Sequence, residues 1–355
     1  MIARAFNVQP VRDTKMLTFA LRRLLMAIPT LILISLVLFM LLELSPGDPL
    51  ADMPMTIPPE VREKIRLAMG LGEPWYVRYV LWLNNFFITE PLYWLDGRFG
   101  TDWADGRQRI LSYQTRAPVF DTIGERLPQT MTVVGTGMLT GILLAIPIGV
   151  ISAYKQYSIF DQIGTLVSMV GFSVPTFVTG VVLIVIFSVW IPKDSIFWLP
   201  TVYDTSLKVV DWDTFLAQVR QMILPASVLA LYYAAQISRY MRSSMLDNLG
   251  QDYVRTARAK GLTEKVVVLI HVLRNSMIPV VTVITLLIPG IFTGAIITET
   301  IFKVNGIGQQ LLLSLQGSDA PMVLTITFIF AVLIVTFNLI ADVLYGLLDP
   351  RIRYD

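Results

Sequence analysis

Few residues in this sequence have the type and spacing that chemistry requires. The chain contains no cysteine and a single histidine, His271, which excludes a thiol nucleophile, a disulfide framework and a structural zinc site. Asp96, Asp102 and Asp105 come nearest to an acidic cluster, but they lie beside glycines, as in a solvated, turn-rich loop. No stretch has the spacing of a Walker A loop or a dinucleotide fingerprint. We therefore predict no catalytic residue, no metal site and no ATP hydrolysis by that route in this chain.

The elements that hold these residues are predicted to be membrane helices. Of the 355 residues, 54% are hydrophobic and only 15% are charged, whereas soluble domains carry roughly 25% charged residues. Six apolar stretches reach the roughly 20 residues that a helix needs to cross a bilayer. Within the first, Arg22 and Arg23 precede an apolar run from Leu24 to Leu42, which reads as a retained signal anchor. The predicted spans are 17–42, 130–153, 163–191, 222–245, 278–298 and 323–347.

The distribution of Lys and Arg predicts that both termini are cytoplasmic. The short loops on the opposite side of the membrane hold only Lys193, Lys208, Arg220 and Lys303, and an excess of basic residues marks the cytoplasmic side. The long loop 43–129 lies outside. It is predicted to form one helix that starts near Thr56 and ends at Gly70 and Gly72. A second, aromatic helix is predicted after Pro74, either as a lid over the helix ends or as a docking platform for an external partner.

The predicted spans contain little that could couple transport to ions. The middles of all spans but the fourth lack ionisable residues, and Glu43, Glu299 and Asp342 are placed near span ends, where interfacial water reaches them. Sodium sites at helices broken by Pro175, Pro279 or Pro289 remain an alternative. Small and weakly polar residues serve either helix packing or a transport path. The path candidates are Thr132, Thr136, Ser173, Pro175, Thr176, Thr282, Thr285 and Thr293.

The loop between the fourth and fifth spans is the most informative segment. Asp252 is predicted as the N-cap of a helix over 253–260, and Gly261 suits the position after its C-cap. Small central residues with basic flanks would let another protein approach the helix backbone. The alternative is a basic loop that binds anionic headgroups. The physical argument alone leaves both open.

The same loop resembles the "EAA" loop of ABC-importer permeases, whose pattern is Glu-Ala-Ala-x-x-x-Gly. Ala257 and Gly261 match this pattern, whereas Arg255 and Thr256 depart from it. The following His271-Val272-Leu273-Arg274-Asn275 and Pro279 resemble the variant found in oligopeptide/dipeptide/nickel permeases. Further similar motifs are Ser45-Pro46-Gly47-Asp48-Pro49, Glu125-Arg126-Leu127-Pro128-Gln129-Thr130, Ser173-Val174-Pro175-Thr176-Phe177, Glu299-Thr300-Ile301-Phe302 with Gly306-Ile307-Gly308, and Asp349-Pro350-Arg351.

The resemblance implies an all-α integral membrane protein with a type I importer-like permease bundle in a bacterial inner membrane. It also implies a second homologous permease subunit, two cytoplasmic ATPase subunits that bind ATP and Mg, and a periplasmic solute-binding protein. The family's solutes include di- and oligopeptides, nickel, glutathione and some oligosaccharides or opines. The residues that would couple the chain to the ATPase are Asp252, Tyr253, Val254, Arg255, Thr256, Ala257, Arg258, Lys260, Gly261 and Leu262.

These inferences divide the chain into parts. A cytoplasmic tail over 1–16 and a first membrane helix over 17–43 precede a large periplasmic loop over 44–128. A five-helix permease core over 129–348 contains the coupling loop 246–275, and a tail follows over 349–355. The predicted function is the permease subunit of an ATP-driven importer of peptides or similar solutes. An ion-coupled secondary transporter is the first alternative and a membrane enzyme the second.

Overall fold

The computed structural model describes residues 10–45, 58–293 and 295–348. Within these ranges the chain is helical apart from loops and a single bridge between Leu111 and Pro118. Three π-helical segments, Asn85–Thr89, Val185–Trp190 and Val267–Val272, interrupt the α-helices. The α-helices are α1 Pro10–Glu43, α2 Pro59–Ala68, α3 Trp75–Asn84, α4 Glu90–Phe99, α5 Val119–Tyr154, α6 Ile159–Ser173, α7 Thr176–Ile184, α8 Trp212–Leu249, α9 Asp252–Ala259, α10 Glu264–Val266, α11 Leu273–Leu287, α12 Pro289–Thr293, α13 Ile296–Phe302, α14 Ile307–Gln316 and α15 Ala320–Leu348.

Five helical stretches are long and apolar enough to cross a membrane, which confirms the predicted class of fold. They are Leu21–Glu43, Val119–Tyr154, Trp212–Leu249, Glu264–Phe292 and Ala320–Val343. A sixth crossing requires the pair Ile159–Ser173 and Thr176–Trp190, which are bent by 104° at their junction. The predicted third span over 163–191 is therefore two helices that meet at a bend, and Pro175, one of the predicted helix breaks, lies at that bend. Val174 is extended, with ψ at 126°, a conformation that the following Pro175 favours because its ring crowds the preceding residue in the helical region, and α6 ends before it.

Other predicted span boundaries also differ from the structure. Helix α8 has 38 residues, so at about 1.5 Å per residue it is roughly 57 Å long, well beyond a hydrocarbon core of about 30 Å. The predicted span 222–245 covers only its apolar part, because hydropathy detects burial in lipid rather than helix ends. The fifth span starts earlier than predicted, at Glu264, and the helical stretch ends at Phe292.

Helices α5 and α8 form the closest helix contact of the core. A Cβ atom added at Gly137 would lie 2.7 Å from Leu229 Cβ, and one added at Gly141 would lie 2.7 Å from Tyr233 Cβ. At Gly149 the distance to Met241 Cβ would be 2.6 Å. Both sequences advance in the same direction along the contact, so the helices run parallel. These glycines therefore serve helix packing, which small residues permit by letting backbones approach.

Helix α3 packs on the first and last membrane helices, α1 and α15. Trp82 of α3 is buried, its ring lies 5.3 Å from that of Phe328 in α15, and its indole N–H donates to Thr325 Oγ1 over 3.4 Å. Tyr79 packs edge-on against Phe39 of α1, with ring centroids 5.3 Å apart. The predicted aromatic helix is thus present, and it rests near the C-terminal end of α1 and the N-terminal end of α15. Thr56, the predicted start of the preceding helix, lies outside the described residues, and α2 begins at Pro59.

Acidic side chains near the segment between α4 and α5 accept hydrogen bonds from its backbone and form ion pairs with Arg109. Asp96 accepts hydrogen bonds from the backbone N–H groups of Trp103 and Ala104 over 3.0 and 2.7 Å. Arg109 contacts the buried Glu90 and the exposed Asp121, both over distances near 2.8 Å, and the hydrogen bond to Asp121 raises the pKa of Arg109. Among the described residues no three His, Cys, Asp or Glu side chains are grouped to hold a metal ion.

The α5–α8 contact generates a matched test on one helix. Gly141→Ala places a Cβ against Tyr233 and the carbonyl oxygen of Ala230, at 2.7 and 3.0 Å, and overpacking of this kind costs about 1–3 kcal/mol. We expect a lower midpoint of thermal unfolding for the detergent-purified protein. Gly124→Ala, also in α5, meets nothing within 4 Å and should leave the midpoint unchanged or raise it. Equal midpoints for the two variants would contradict the packing.

Candidate functional site

Helix α9 follows α8 after only Gly250 and Gln251. Gln251 is extended, with φ −76° and ψ 153°, and its carbonyl oxygen accepts a hydrogen bond from the N–H of Val254 over 3.0 Å. Gln251 is therefore the N-cap, and the prediction that Asp252 is the N-cap is wrong by one residue. Asp252 instead lies in the first turn, where its negative charge is favourable beside the N-terminal end of the helix dipole.

Gly261 closes the other end of α9 in a Schellman motif. Its φ is +75°, a conformation that side chains with a Cβ rarely adopt. The Gly261 N–H donates to the carbonyl of Arg258 over 3.0 Å, and the Leu262 N–H donates to the carbonyl of Ala257 over 3.4 Å. This is the hydrogen-bond pattern of that motif, and it confirms the predicted position of Gly261 just after the C-cap.

One face of α9 is buried against the rest of the chain. Val254 is fully buried and Ala257 is 6% exposed. They share an apolar core with Val267, Val268 and Val272 of the neighbouring π-helical segment. Of the small residues in the middle of this helix, Ala257 thus lies against its own subunit, whereas Ala259 is exposed. The spacing of three residues between Val254 and Ala257 puts both on the inward side, where the small side chain of Ala257 lets α9 lie close to its own subunit.

The opposite face of α9 is exposed and basic. The Arg255 side chain is 77% exposed and lies 3.6 Å from Asp252, while Thr256 and Lys260 are also exposed. Arg258 is bound to Glu264 over 2.7 Å, and this hydrogen bond raises the pKa of Arg258. Tyr253 donates its hydroxyl hydrogen to Asn248 Oδ1 over 2.9 Å. Arg255 and Lys260 thus lie on the exposed face of α9, while its buried face fixes the orientation of the helix.

The path candidates fall into separate groups. Thr132 and Thr136 are exposed on α5, on a different face from the buried Gly137 and Gly141, and each donates its hydroxyl hydrogen to the carbonyl four residues before it. Thr285 is only 5% exposed and therefore packs inside the bundle. Three candidates lie together at the bend between α6 and α7, and one is partly buried in α11. These are Ser173, Pro175 and Thr176 at the bend and Thr282 in α11; the side chain of Thr293 lies outside the described residues.

Glu299 differs most from its predicted environment. It is fully buried, although interfacial water was expected to reach it. Its carboxylate accepts hydrogen bonds from Thr130 Oγ1 over 2.9 Å and from the Gln309 backbone N–H over 2.8 Å. A Cβ at Gly306 would lie 2.5 Å from the carboxylate, so glycine makes room for it. Glu299 therefore caps the start of α14 and joins it to α5, a tertiary arrangement that hydropathy does not reveal.

Comparison with known proteins gives a consistent result over nearly the whole chain. The family model described as binding-protein-dependent transport system inner membrane component matches residues 145–354, and a model of the N-terminal part of such membrane components matches residues 16–134. The chain is 37% identical to the oligopeptide transport system permease protein AppB of Bacillus subtilis, over 96% of this chain and 100% of the relative. It is 38% identical to the dipeptide transport system permease protein DppB of Escherichia coli K12, over 96% and 99%.

The two faces of α9 can be separated with two alanines of the same helix. Ala257→Leu inserts a larger side chain into the contact with Val267 and Val268 and should displace α9. We expect faster trypsin cleavage after Arg255 and Arg258 when trypsin has access to both faces of the membrane. Ala259→Leu changes an exposed position and should leave the cleavage rate unchanged. Equal rates in both variants would show that α9 is not docked through Ala257.

Proposed function

Because the chain belongs to the family of binding-protein-dependent transport system inner membrane components, we propose that it forms half of the translocation path of an ATP-driven peptide importer. The chain is a permease subunit, and its relatives are named as oligopeptide and dipeptide transport permeases. Their names support peptides as the solute class. The observation that carries the proposed mechanism is α9, an exposed basic helix that is buried on one side against its own subunit and joined to α8 by two residues.

In this proposal α9 is the contact with the ATPase. Arg255, Thr256 and Lys260 face the partner, while Val254 and Ala257 transmit its displacement to the core. A partner that closes on binding ATP would move α9 together with α8, and hydrolysis would release it. Such a change needs two packed states whose balance the partner shifts through differential contacts. The partner subunits bind ATP and Mg, and a second permease subunit completes the path.

The proposed orientation places both termini and α9 in the cytoplasm. The long segment before α5 then lies on the outer side, where an external binding protein delivers the solute. Its packing on α1 and α15 through Trp82 and Tyr79 supports a fixed outer surface. Solute selection belongs largely to that binding protein, and the bend at Pro175 and the exposed Thr132 and Thr136 supply weakly polar surface for a path.

The function is tested with the complete transporter in proteoliposomes. Uptake of radiolabelled alanyl-alanine should require the binding protein outside and ATP at the ATPase subunits, and an ionophore should leave it unchanged. These results follow if energy enters through the ATPase rather than through an ion gradient. Uptake that an ionophore abolishes and that persists without ATP would identify an ion-coupled transporter instead.

The conformation of Gly261 provides a sharper test of the α9 contact. Gly261→Asp puts a side chain at φ +75°, whereas Gly250→Asp changes a residue at φ −83° with nothing within 4 Å of a Cβ. We expect Gly261→Asp to reduce ATP-driven uptake while the subunit stays in the membrane. Gly250→Asp should retain uptake, and Gly261→Asn should be intermediate because asparagine tolerates the left-handed region.

Membrane content by immunoblot and uptake per subunit are the two measurements. Normal uptake by Gly261→Asp would overturn the assignment of α9. A loss of the Gly261→Asp subunit from the membrane would show that Gly261 serves folding instead.

A further inference from the structure

Helix α6 lies on α8 through a series of matched contacts. We propose that Asp161 and Arg242 are positioning residues for transport, which hold α6 to α8 so that displacement of α9 reaches the bend at Pro175. This inference rests on the proposed function of α9. It adds the route from that helix to the membrane interior, and it follows from four contacts between the two helices together with the continuity of α8.

The strongest contact is a bidentate ion pair. Arg242 Nε lies 2.6 Å from Asp161 Oδ1, and Nη2 lies 2.8 Å from Oδ2. The side chain of Asp161 is only 4% exposed, and Oδ2 also accepts a hydrogen bond from the Tyr157 backbone N–H over 2.9 Å. A guanidinium that binds a carboxylate through two parallel hydrogen bonds fixes direction as well as distance. The pair therefore sets the position of the start of α6 relative to α8.

Three more contacts continue the series towards the bend. The hydroxyl groups of Ser168 and Ser238 lie 3.1 Å apart. A Cβ at Gly171 would lie 3.2 Å from Ala235 Cβ, so the helices approach closely there. The third contact is made by Phe172 near the end of α6, whose ring stacks on that of Tyr232 at 6.3 Å between centroids and has the Arg239 guanidinium 5.8 Å from its centroid. The α6 positions rise as the α8 positions fall, so the helices run antiparallel and are in contact along most of α6.

Helices α8 and α6 connect to different elements at the two ends of their contact. At one end, α8 continues to α9 after Gly250 and Gln251. At the other end α6 stops at Ser173, and α7 departs at 104°. Helix α7 also contacts α8, but it packs in addition on α13, where a Cβ at Gly180 would lie 3.5 Å from the Phe302 ring. A shift of α8 that carries α6 with it therefore reaches the bend, where Ser173, Pro175 and Thr176 lie.

A purely structural role for the ion pair makes a different prediction. If the pair only stabilises the fold, its loss lowers the amount of assembled transporter but leaves uptake per ATP unchanged. If the pair positions α6, its loss changes the ratio of solute moved to ATP hydrolysed. A second tie between the same two helices should then restore that ratio. The absence of native cysteine allows such a tie to be introduced as Ser168→Cys with Ser238→Cys.

The first experiment uses this cysteine pair in the complete transporter, with cysteine-free partner subunits. We expect copper phenanthroline to form the disulfide to the same extent without nucleotide and after trapping with ATP and vanadate. Uptake of radiolabelled alanyl-alanine should survive oxidation. A disulfide that forms in one state only, or that stops uptake, would show that α6 and α8 move relative to each other and would overturn the inference.

The second experiment removes both charges with Asp161→Asn and Arg242→Gln, so that neither is left buried and unpaired. We expect a loss of uptake per ATP hydrolysed, because α6 is then no longer held to α8 by the ion pair. The Ser168→Cys and Ser238→Cys disulfide should restore it, and reduction should remove the rescue. Arg23→Gln with Asp342→Asn neutralises another pair between membrane helices, separated by 2.8 Å, and should leave uptake per ATP unchanged.

The outcomes distinguish the positioning role of Asp161 and Arg242 from the proposed function of the chain. An unchanged ratio of uptake to ATP hydrolysis in the Asp161→Asn, Arg242→Gln variant would overturn the positioning role. If that variant does not assemble, the disulfide in the otherwise unaltered transporter decides, because its formation is compared between nucleotide states. Failure of the unaltered transporter to take up alanyl-alanine with ATP would contradict the proposed function, while the cross-linking result still reports whether α6 and α8 move together.

Discussion

The backbones of α5 and α8 lie side by side, and α5 places no side chain between them at Gly137, Gly141 or Gly149. In a membrane, apolar burial does not drive one helix against another, because lipid is as apolar as the partner helix. Close approach and dispersion must supply the attraction, and glycine is the residue that permits it. The other elements of the core take their positions from this pair of helices. Helix α6 uses a further face of α8, and α9 continues from its end.

A second constraint acts at the end of α8, where a short helix must be rigid without burying much surface. Helix α9 is too short to be stable alone in water. Its stability therefore depends on Val254 and Ala257 in the core and on the Schellman closure at Gly261. The exposed face carries charged side chains instead, and Arg255 and Lys260 are available to a partner. Folding and contact thus use different residues of the same two turns.

The sequence predicts the class of fold well, because hydropathy measures the same property that lipid selects. It also predicts the closure of α9 at Gly261, since the left-handed conformation leaves a direct sequence signal. The direction of Ala257 was not predictable, because it depends on Val267 and Val268, which the chain brings back only through tertiary folding. Burial of Glu299 likewise depends on Thr130 and Gln309, which lie far from it or beyond a turn. The bend at Pro175 is intermediate: proline marks the position, but the angle of 104° depends on how α6 and α7 pack on the other helices, which the local sequence does not specify.

The spacing of the three contact glycines on α5 also limits how its contact with α8 can change. A slide of α8 by one helical turn, about 5.4 Å, would bring Tyr233 from the glycine at 141 to Ala145 in one direction. In the other direction it would bring Leu229 from Gly137 to Val133. Tyr233 and Leu229 would each then face a Cβ where each now faces glycine. The glycines therefore favour the present register over a slide in either direction. Keeping this register requires α5 and α8 to move together, so an opening of this subunit would tilt or turn them as one unit, with the displacement growing with distance from the pivot.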